Sequence, residues 1–538
     1  MVETVGATAW CGEILQARAA AATARAQVAA VAASTSHVVF VCEPGGGDGE
    51  RARGSLHSIR RGSLDVRSVA SDGLRRTSLA KLQGLPLEAP ITKVISLLSA
   101  ATEGAPPATV ACIERAVDML RTSELYSPQM KEDPKLRAED PIATDLIGAL
   151  LSQGPTNVLS SRRSSNDSTV VRSQTNRTNI KHKTSGQLRE LLDTALSWEF
   201  EIFRLEELTR GRPLAHLGLA LLGGRFDVCA TLECDERTLL HWLTVIETNY
   251  HAVNTYHNST HAADVLQAVA YFLEKDRLKT LLEPLEAAAA LIAAAAHDID
   301  HPGTSSAFLC NARHPLAILY NDICVLESHH AALTFKLTLN DDRVNIFKNL
   351  DRDTYKTVRH NVIDMVLATE MTKHFEHLAK FVNVFYEPLS LDTTALSLPE
   401  NVILVKRMMI KCADVSNASR PQKFAFEWAR RIAEEYFLQT EEEKARALPV
   451  VMPMFDRATC SVPRSQIGFI DYIIIDMMEA WAAFIDMPEL VNHARNNHTR
   501  WRELDEAGVS SMADVKRAMR QQAIQAPPTS TTEPTAEE

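Results

Sequence analysis

From Gly186 onward, apolar residues recur three and four apart through most of the next roughly three hundred positions, and alternating apolar and polar runs are scarce. This pattern predicts a succession of amphipathic helices without a substantial sheet. A clear stretch is Ile470, Ile473, Ile474, Met477, Trp481 and Phe484, which fall on one helical face while Asp471 and Glu479 lie off it. Before Gly186 the pattern breaks down. Residues 43–84 are rich in Gly, Ser and Arg and poor in aromatics, and residues 160–184 form a second polar Ser/Arg/Asn/Thr tract. Short helical patterns lie between them, at Ile91 to Ala101 and Ala108 to Arg121. The expected organisation is a mostly disordered regulatory region over 1–185, a compact all-α multi-helix domain over 186–522, and a disordered Pro/Thr/Glu tail over 523–538.

Composition narrows the partners. With 45% hydrophobic residues a large core is within reach, and 57 basic against 68 acidic residues leave a formal charge of -11, which gives a nucleic acid no electrostatic reason to bind. The nine cysteines are scattered and form no CxxC pair, as in a reducing compartment. The longest apolar run, Leu285 to Ala296, falls well short of the ~20 residues that span a bilayer. The first residues lack a basic stretch followed by an apolar core, so no secretory signal is expected, and Val2 excludes the usual myristoylation motif. These features point to a cytoplasmic location, with an organelle-targeting segment as the alternative on the strength of the early Ala and Arg content.

Three segments carry candidate chemistry. In YHNSTHAADV, His257 and His261 are four apart, which on a helix sets both imidazoles on one face; alone, that spacing is common among ordinary histidines. More specific is LIAAAAHDIDHPG, where an Ala-rich helix leads into His297, Asp298, Asp300 and His301 just before Pro302 and Gly303. Four ionisable groups after so apolar a segment are unfavourable to bury unless paired or bound to cations. A further carboxylate, Asp414, ends the apolar stretch MMIKCADVSN. The order His, His-Asp, Asp resembles that of the HD metal-dependent phosphohydrolases, whose mixed imidazole and carboxylate ligands suit a zinc-like ion and a second, harder one.

Together YHNSTHAADV, HDIDHPG, YNDICVLESHH, DMVLATEMTKHFEH, KCADVSN and SQIGFIDY resemble the class I cyclic-nucleotide phosphodiesterase catalytic domain over roughly Glu199 to Trp501. The likeness is greatest to the high-affinity, cyclic-AMP-specific family eight, and extends upstream through LEAPITKVISLLSAA and LRTSELYSP. The resemblance implies a compact all-α domain that hydrolyses 3′,5′-cyclic AMP to 5′-AMP. It implies zinc held by His261, His297, Asp298 and Asp414, and magnesium or manganese at a second site that Asp298 also touches. His301, Glu327 and Thr369 match positions around the second ion's water shell, and His257 matches the general acid that protonates the ribose O3′ as a metal-bridging hydroxide attacks phosphorus.

For the base, the resemblance assigns Gln466 to the purine edge, Ile432 and Phe469 to an apolar clamp, Tyr256 to the pocket wall and Asn417 to adenine. A dual-specificity or cyclic-GMP enzyme, another HD phosphohydrolase such as a nucleotidase, and a catalytically silent scaffold are the competing readings. The chain departs from the family at Ser306, where Asn is usual, and at Ala418, where Pro is usual; neither removes a ligand, and the shorter hydrogen-bonding side chain of Ser306 is expected to alter substrate affinity or inhibitor response. Its N-terminal part is also too short and too polar for the complete receiver-like and PAS modules of family eight. Three basic pairs two residues before a serine, at Ser63, Ser78 and Ser165, suit a basophilic kinase such as the cyclic-AMP-dependent one, in a feedback that stimulates the hydrolase. The reading also leaves room for a homodimer.

Overall fold

The structure, a computed structural model, describes residues 186–385 and 396–525 together with Thr109, Val110, Ile113, Asp145 and Gly148. No strand occurs among the described residues, and the expected all-α class is what is found. The expectations for Ser63, Ser78 and Ser165 lie outside the described residues, as do most of those for 1–185 and for the tail.

Ten helices position the site: α1 (Glu236–Thr248), α2 (Ser259–Leu273), α3 (Pro284–Ala296), α4 (Val325–Leu339), α5 (Arg352–Ala368), α6 (Pro399–Asp414), α7 (Gln422–Ala445), α8 (Val462–Phe469), α9 (Ile475–Ile485) and α10 (Glu489–Glu506). Their starts follow from local chemistry. Asp235 caps α1 by accepting the Thr238 N–H at 2.7 Å, and Asp351 accepts from the backbone of Asp353 and Thr354 at the start of α5. A reciprocal capping box between Glu283 and Glu286, with Pro284 in the first turn, starts α3.

The Ala-rich α3 is the central element. Every residue from Ala288 to Ala296 is at most 1% exposed, and the small side chains let α2 and α5 pack directly against its flanks. Around this hub aromatic residues fill the wider gaps: Trp481 touches both Phe272 and Phe381, with ring centroids 5.6 and 5.9 Å away.

The stripe from Ile470 to Phe484 is buried as its spacing predicts, but not on one continuous α-helix. Residues Ile470–Ile474 form a π-turn between α8 and α9. The wider turn re-phases the helix, so that Gln466 and Phe469 on α8 can line a cavity while the following residues enter the core.

A second internal device holds the segment after α6. Arg420, 1% exposed, donates to Asp264 Oδ1 at 2.9 Å, to Gln267 Oε1 at 2.7 Å and to the Trp198 carbonyl at 3.2 Å, and lies 3.9 Å from the Trp198 ring. From α10, Asn497 Nδ2 donates to the carbonyls of Ala418 and Arg420 at 2.9 and 2.8 Å. The short turn bearing Asn417 is therefore tied to both α2 and α10.

Candidate active site

His261 enters from the first turn of α2. Its neighbour Asn258 caps that helix, accepting from Thr260 N and His261 N, and so ends the helix before His257. His257 consequently lies in the preceding loop, and not on the α2 face that the spacing of the two histidines predicts. On the other side, α3 stops at Ala296 with His297 as its C-cap, and the chain then turns sharply, with Asp300 in the left-handed region at φ 60°. Asp414 is the last residue of α6.

These three helix ends bring four ligand atoms within 4.8 Å of one another. His261 Nε2 is 3.1 Å from Asp414 Oδ1, 3.4 Å from Asp298 Oδ2 and 3.3 Å from His297 Nε2; His297 Nε2 is 3.1 Å from Asp298 Oδ2 and 3.3 Å from Asp414 Oδ1. A tetrahedral zinc with bonds of about 2.0–2.1 Å has ligand-to-ligand edges of about 3.3–3.4 Å, so these separations fit a single ion. His297 Nδ1 donates to the Ala294 carbonyl at 2.9 Å, which can only accept, and the neutral ring therefore presents a lone pair at Nε2.

The electrostatics agree. Burial works against charge on His297, but Asp298 and Asp414 outweigh it and push its imidazole well above the usual range. Burial likewise opposes ionisation of the two aspartates, yet the facing histidines hold both carboxyls well below the usual carboxylate range. The cluster calls for positive charge, which a cation can supply in place of protons.

Around the cluster, Asp298 Oδ1 faces His330 Nε2 at 3.7 Å, a buried atom with no hydrogen-bond partner among the described residues. Glu327 Oε2 is also buried without a partner there, and burial, reinforced by the charge of Glu370, pushes that carboxyl up to about 8. Thr369 is buried at the end of α5, where its hydroxyl donates to the Val366 carbonyl at 2.8 Å. His301 stacks on His257 with ring centroids 3.9 Å apart and planes 15° from parallel. Burial, and then the charge of His257, hold the His301 imidazole well below its usual value.

The partner of His257 is Glu435 on α7, which the sequence reading did not single out. Its carboxylate bonds His257 Nδ1 and accepts the backbone N–H groups of Tyr256 and His257. Burial opposes charge on His257, but Glu435 outweighs it and the imidazole is held above its usual value. Nothing in the pattern of α7 separates Glu435 from its neighbour Glu434, which pairs with Arg457 at the surface.

A cavity of about 130 Å³ opens beside the cluster, lined by Asn417, Gln466, Ile432 and Phe469 together with His257 and Asp414. Tyr256 also lines it; its ring lies 4.6 Å from that of His261, and its Oη accepts from Asn417 Nδ2 at 2.5 Å. His257 is shared with a second cavity of about 170 Å³, which is also lined by His301, Glu327 and Ser306. Ala418 lies outside both cavities, buried beneath Asn497. Every described candidate thus surrounds one region except Thr369, for which no contact with the cluster is seen.

Residues 256–496 match the family described as 3′5′-cyclic nucleotide phosphodiesterase. The "high affinity cAMP-specific and IBMX-insensitive 3′,5′-cyclic phosphodiesterase 8" of Drosophila melanogaster is 56% identical over 504 residues, covering 91% of this chain and 54% of the relative. The Homo sapiens protein of the same description, 8A, is 50% identical over 474 residues, covering 83% of this chain and 56% of that one. The chain thus spans about half the length of the curated relatives it matches. Among solved structures, LmjPDEB1 in complex with IBMX is similar with a TM-score of 0.54 and 28% identity, covering 60% of this chain and 98% of that chain. No helix among the described residues is long and apolar enough to cross a membrane.

Proposed function

We propose that this chain, which belongs to the class I cyclic-nucleotide phosphodiesterases with its similarity greatest toward family eight, hydrolyses 3′,5′-cyclic AMP to 5′-AMP. The observation that carries the reading is the junction of the His261, His297, Asp298 and Asp414 cluster with the His257–Glu435 pair at a cavity bearing Gln466.

Zinc held by those four residues, with magnesium or manganese toward Asp298, His301 and Glu327, would make water nucleophilic at neutral pH and draw charge from the phosphoryl oxygens. The remaining work falls to side chains. Glu435 occupies Nδ1 of His257 and favours the charged ring, in which Nε2–H is the proton to be given away. As the oxygen of water joins phosphorus and the P–O3′ bond breaks, that proton goes to O3′. A proton of the attacking water replaces it on the histidine, so one water is consumed for each 5′-AMP formed.

Base choice follows from hydrogen-bond polarity. Asn417 Nδ2 donates to the Tyr256 hydroxyl, and Oδ1 takes no hydrogen bond among the described residues. In this orientation the Oδ1 acceptor complements the N6 amine of adenine and meets the O6 acceptor of guanine unfavourably. Ile432 and Phe469 supply apolar surface for the ring, and Gln466 an amide for its edge. The test is kcat/KM of the purified protein for cyclic AMP and cyclic GMP with zinc and magnesium present. A preference for cyclic AMP of at least about 10-fold, the range of one to two hydrogen bonds, is expected; equal values or a preference for cyclic GMP would overturn the assignment.

A further inference from the structure

The loop that joins α1 to α2 inverts the usual ordering of polar and apolar side chains. Val253 is 86% exposed, whereas its neighbour Asn254 is 9% exposed. A buried amide beside an outward apolar residue calls for a reason. Both N–H groups of Asn254 Nδ2 are used, one on the His257 carbonyl at 2.8 Å and the other on the His301 carbonyl at 2.7 Å. Asn254 is thus a bridge between the two loops whose histidine rings are stacked.

The bridge is fixed from both sides. The Asn254 carbonyl accepts from Asn258 Nδ2 at 2.9 Å, and Asn258 Oδ1 caps α2 at Thr260 and His261, so the amide is referenced to the helix that carries His261. On the opposite side stands Gly303, with φ +80°, where an added Cβ would come 2.8 Å from Asn254 Oδ1. The Gly303 N–H donates in turn to His301 Nδ1 at 3.0 Å. Gly303 therefore leaves room for the amide and orients the His301 ring.

We infer that Asn254 is a positioning residue for proton delivery, setting the spacing of the His257 and His301 loops so that His257 Nε2 meets the leaving oxygen. Glu435 holds the ring edge and the backbone N–H of His257, while Asn254 holds the His257 carbonyl and the neighbouring ring's backbone. The inference rests on the phosphodiester-hydrolysis reading above and names a residue to which that reading gave no role.

The replacement Asn254→Asp keeps the size of the side chain, removes both donors and sets oxygen against two carbonyls. The readout compares cyclic AMP with its analogue carrying sulfur in place of the 3′ oxygen, whose thiolate leaves without a proton. For Asn254→Asp, kcat with cyclic AMP should fall about 10- to 100-fold with KM within about threefold, while kcat with the sulfur analogue falls by less than about threefold. Asn254→Ser, which keeps one donor, should lie between. Equal losses on both substrates, or no loss on cyclic AMP, would overturn the inference, and so would failure of both variants to fold, which assigns Asn254 to the scaffold. If the unmodified protein turns over neither substrate, the hydrolysis reading itself fails and takes this inference with it.

Discussion

Glu435 engages His257 at two places: one carboxylate oxygen bonds the imidazole Nδ1, and the other accepts the backbone N–H groups of Tyr256 and His257 at 3.0 and 3.1 Å. The same side chain thus sets the charge of the ring and the course of the loop that presents it. Replacement Glu435→Gln keeps the size and removes the negative charge. Steady-state kinetics should show kcat reduced on the order of 100-fold with KM changed by less than about threefold. Because Glu435 raises the His257 pKa, its loss should also move the alkaline limb of the kcat profile to lower pH, since the acid form then persists only to a lower pH. An unchanged limb would assign the charge on His257 to other groups.

Base selectivity is expected to depend on a residue that need not touch the base. The Tyr256 hydroxyl fixes the Asn417 amide by a bond of 2.5 Å, and Tyr256→Phe leaves that amide free to rotate. The ratio of kcat/KM for cyclic AMP over cyclic GMP should fall about 5- to 10-fold, the value of one hydrogen bond of about 1 kcal/mol. An unchanged ratio would place the selectivity elsewhere in the cavity.

Arg420 is buried with Asp264, and burial pushes the carboxyl up and the guanidinium down while each partner offsets part of the effect. Removal of one partner leaves an uncompensated buried charge. Arg420→Ala should destabilise the domain by about 3–5 kcal/mol in urea unfolding, whereas replacing Arg420 and Asp264 together should be much less damaging than the sum of the single changes. Additive effects would show that the two side chains act independently.

Acid should weaken the fold through His374 and His377. Both are buried, and burial, then the charge of Lys411, push them down to about 3 and about 4. Their folded-state values lie below that of an unfolded histidine, so the stability they confer is complete above about pH 6.5 and is lost as pH falls from there toward the folded values. Between pH 7.5 and 5.5 each of the two should cost about 1 kcal/mol in urea unfolding, so His374→Phe should shrink the measured difference by about that amount. A variant with an undiminished difference would shift the origin to other groups.

Much of this molecule was legible beforehand because its motifs are local. The Ala-rich run before His297 and Asp298 marks a buried helix end, and the spacing from Ile470 to Phe484 marks a core face. What periodicity could not show is where the chain leaves the helical path. Asn258 acts as a cap and places His257 outside α2, while the π-turn at Ile470–Ile474 separates a cavity face from a core face within one apolar run. Nor could it distinguish adjacent identical residues. Glu434 and Glu435 follow one another on α7, yet one pairs with Arg457 at the surface and the other with His257 in the interior, a difference set by loops far away in the chain. Asn254 was hidden for the same reason, since both carbonyls it joins come from segments brought together only by the fold.

The central claim is that the cluster of His261, His297, Asp298 and Asp414 holds the metal that makes cyclic AMP hydrolysis possible. It is tested most directly by the initial rate of 5′-AMP formation by the purified protein before chelation, after chelation and after return of zinc and magnesium, with Asp414→Ala alongside. The account predicts that turnover disappears on chelation and returns with the metals, and that Asp414→Ala stays inactive throughout. Turnover that survives chelation, or an Asp414→Ala protein that recovers with the metals, would contradict it.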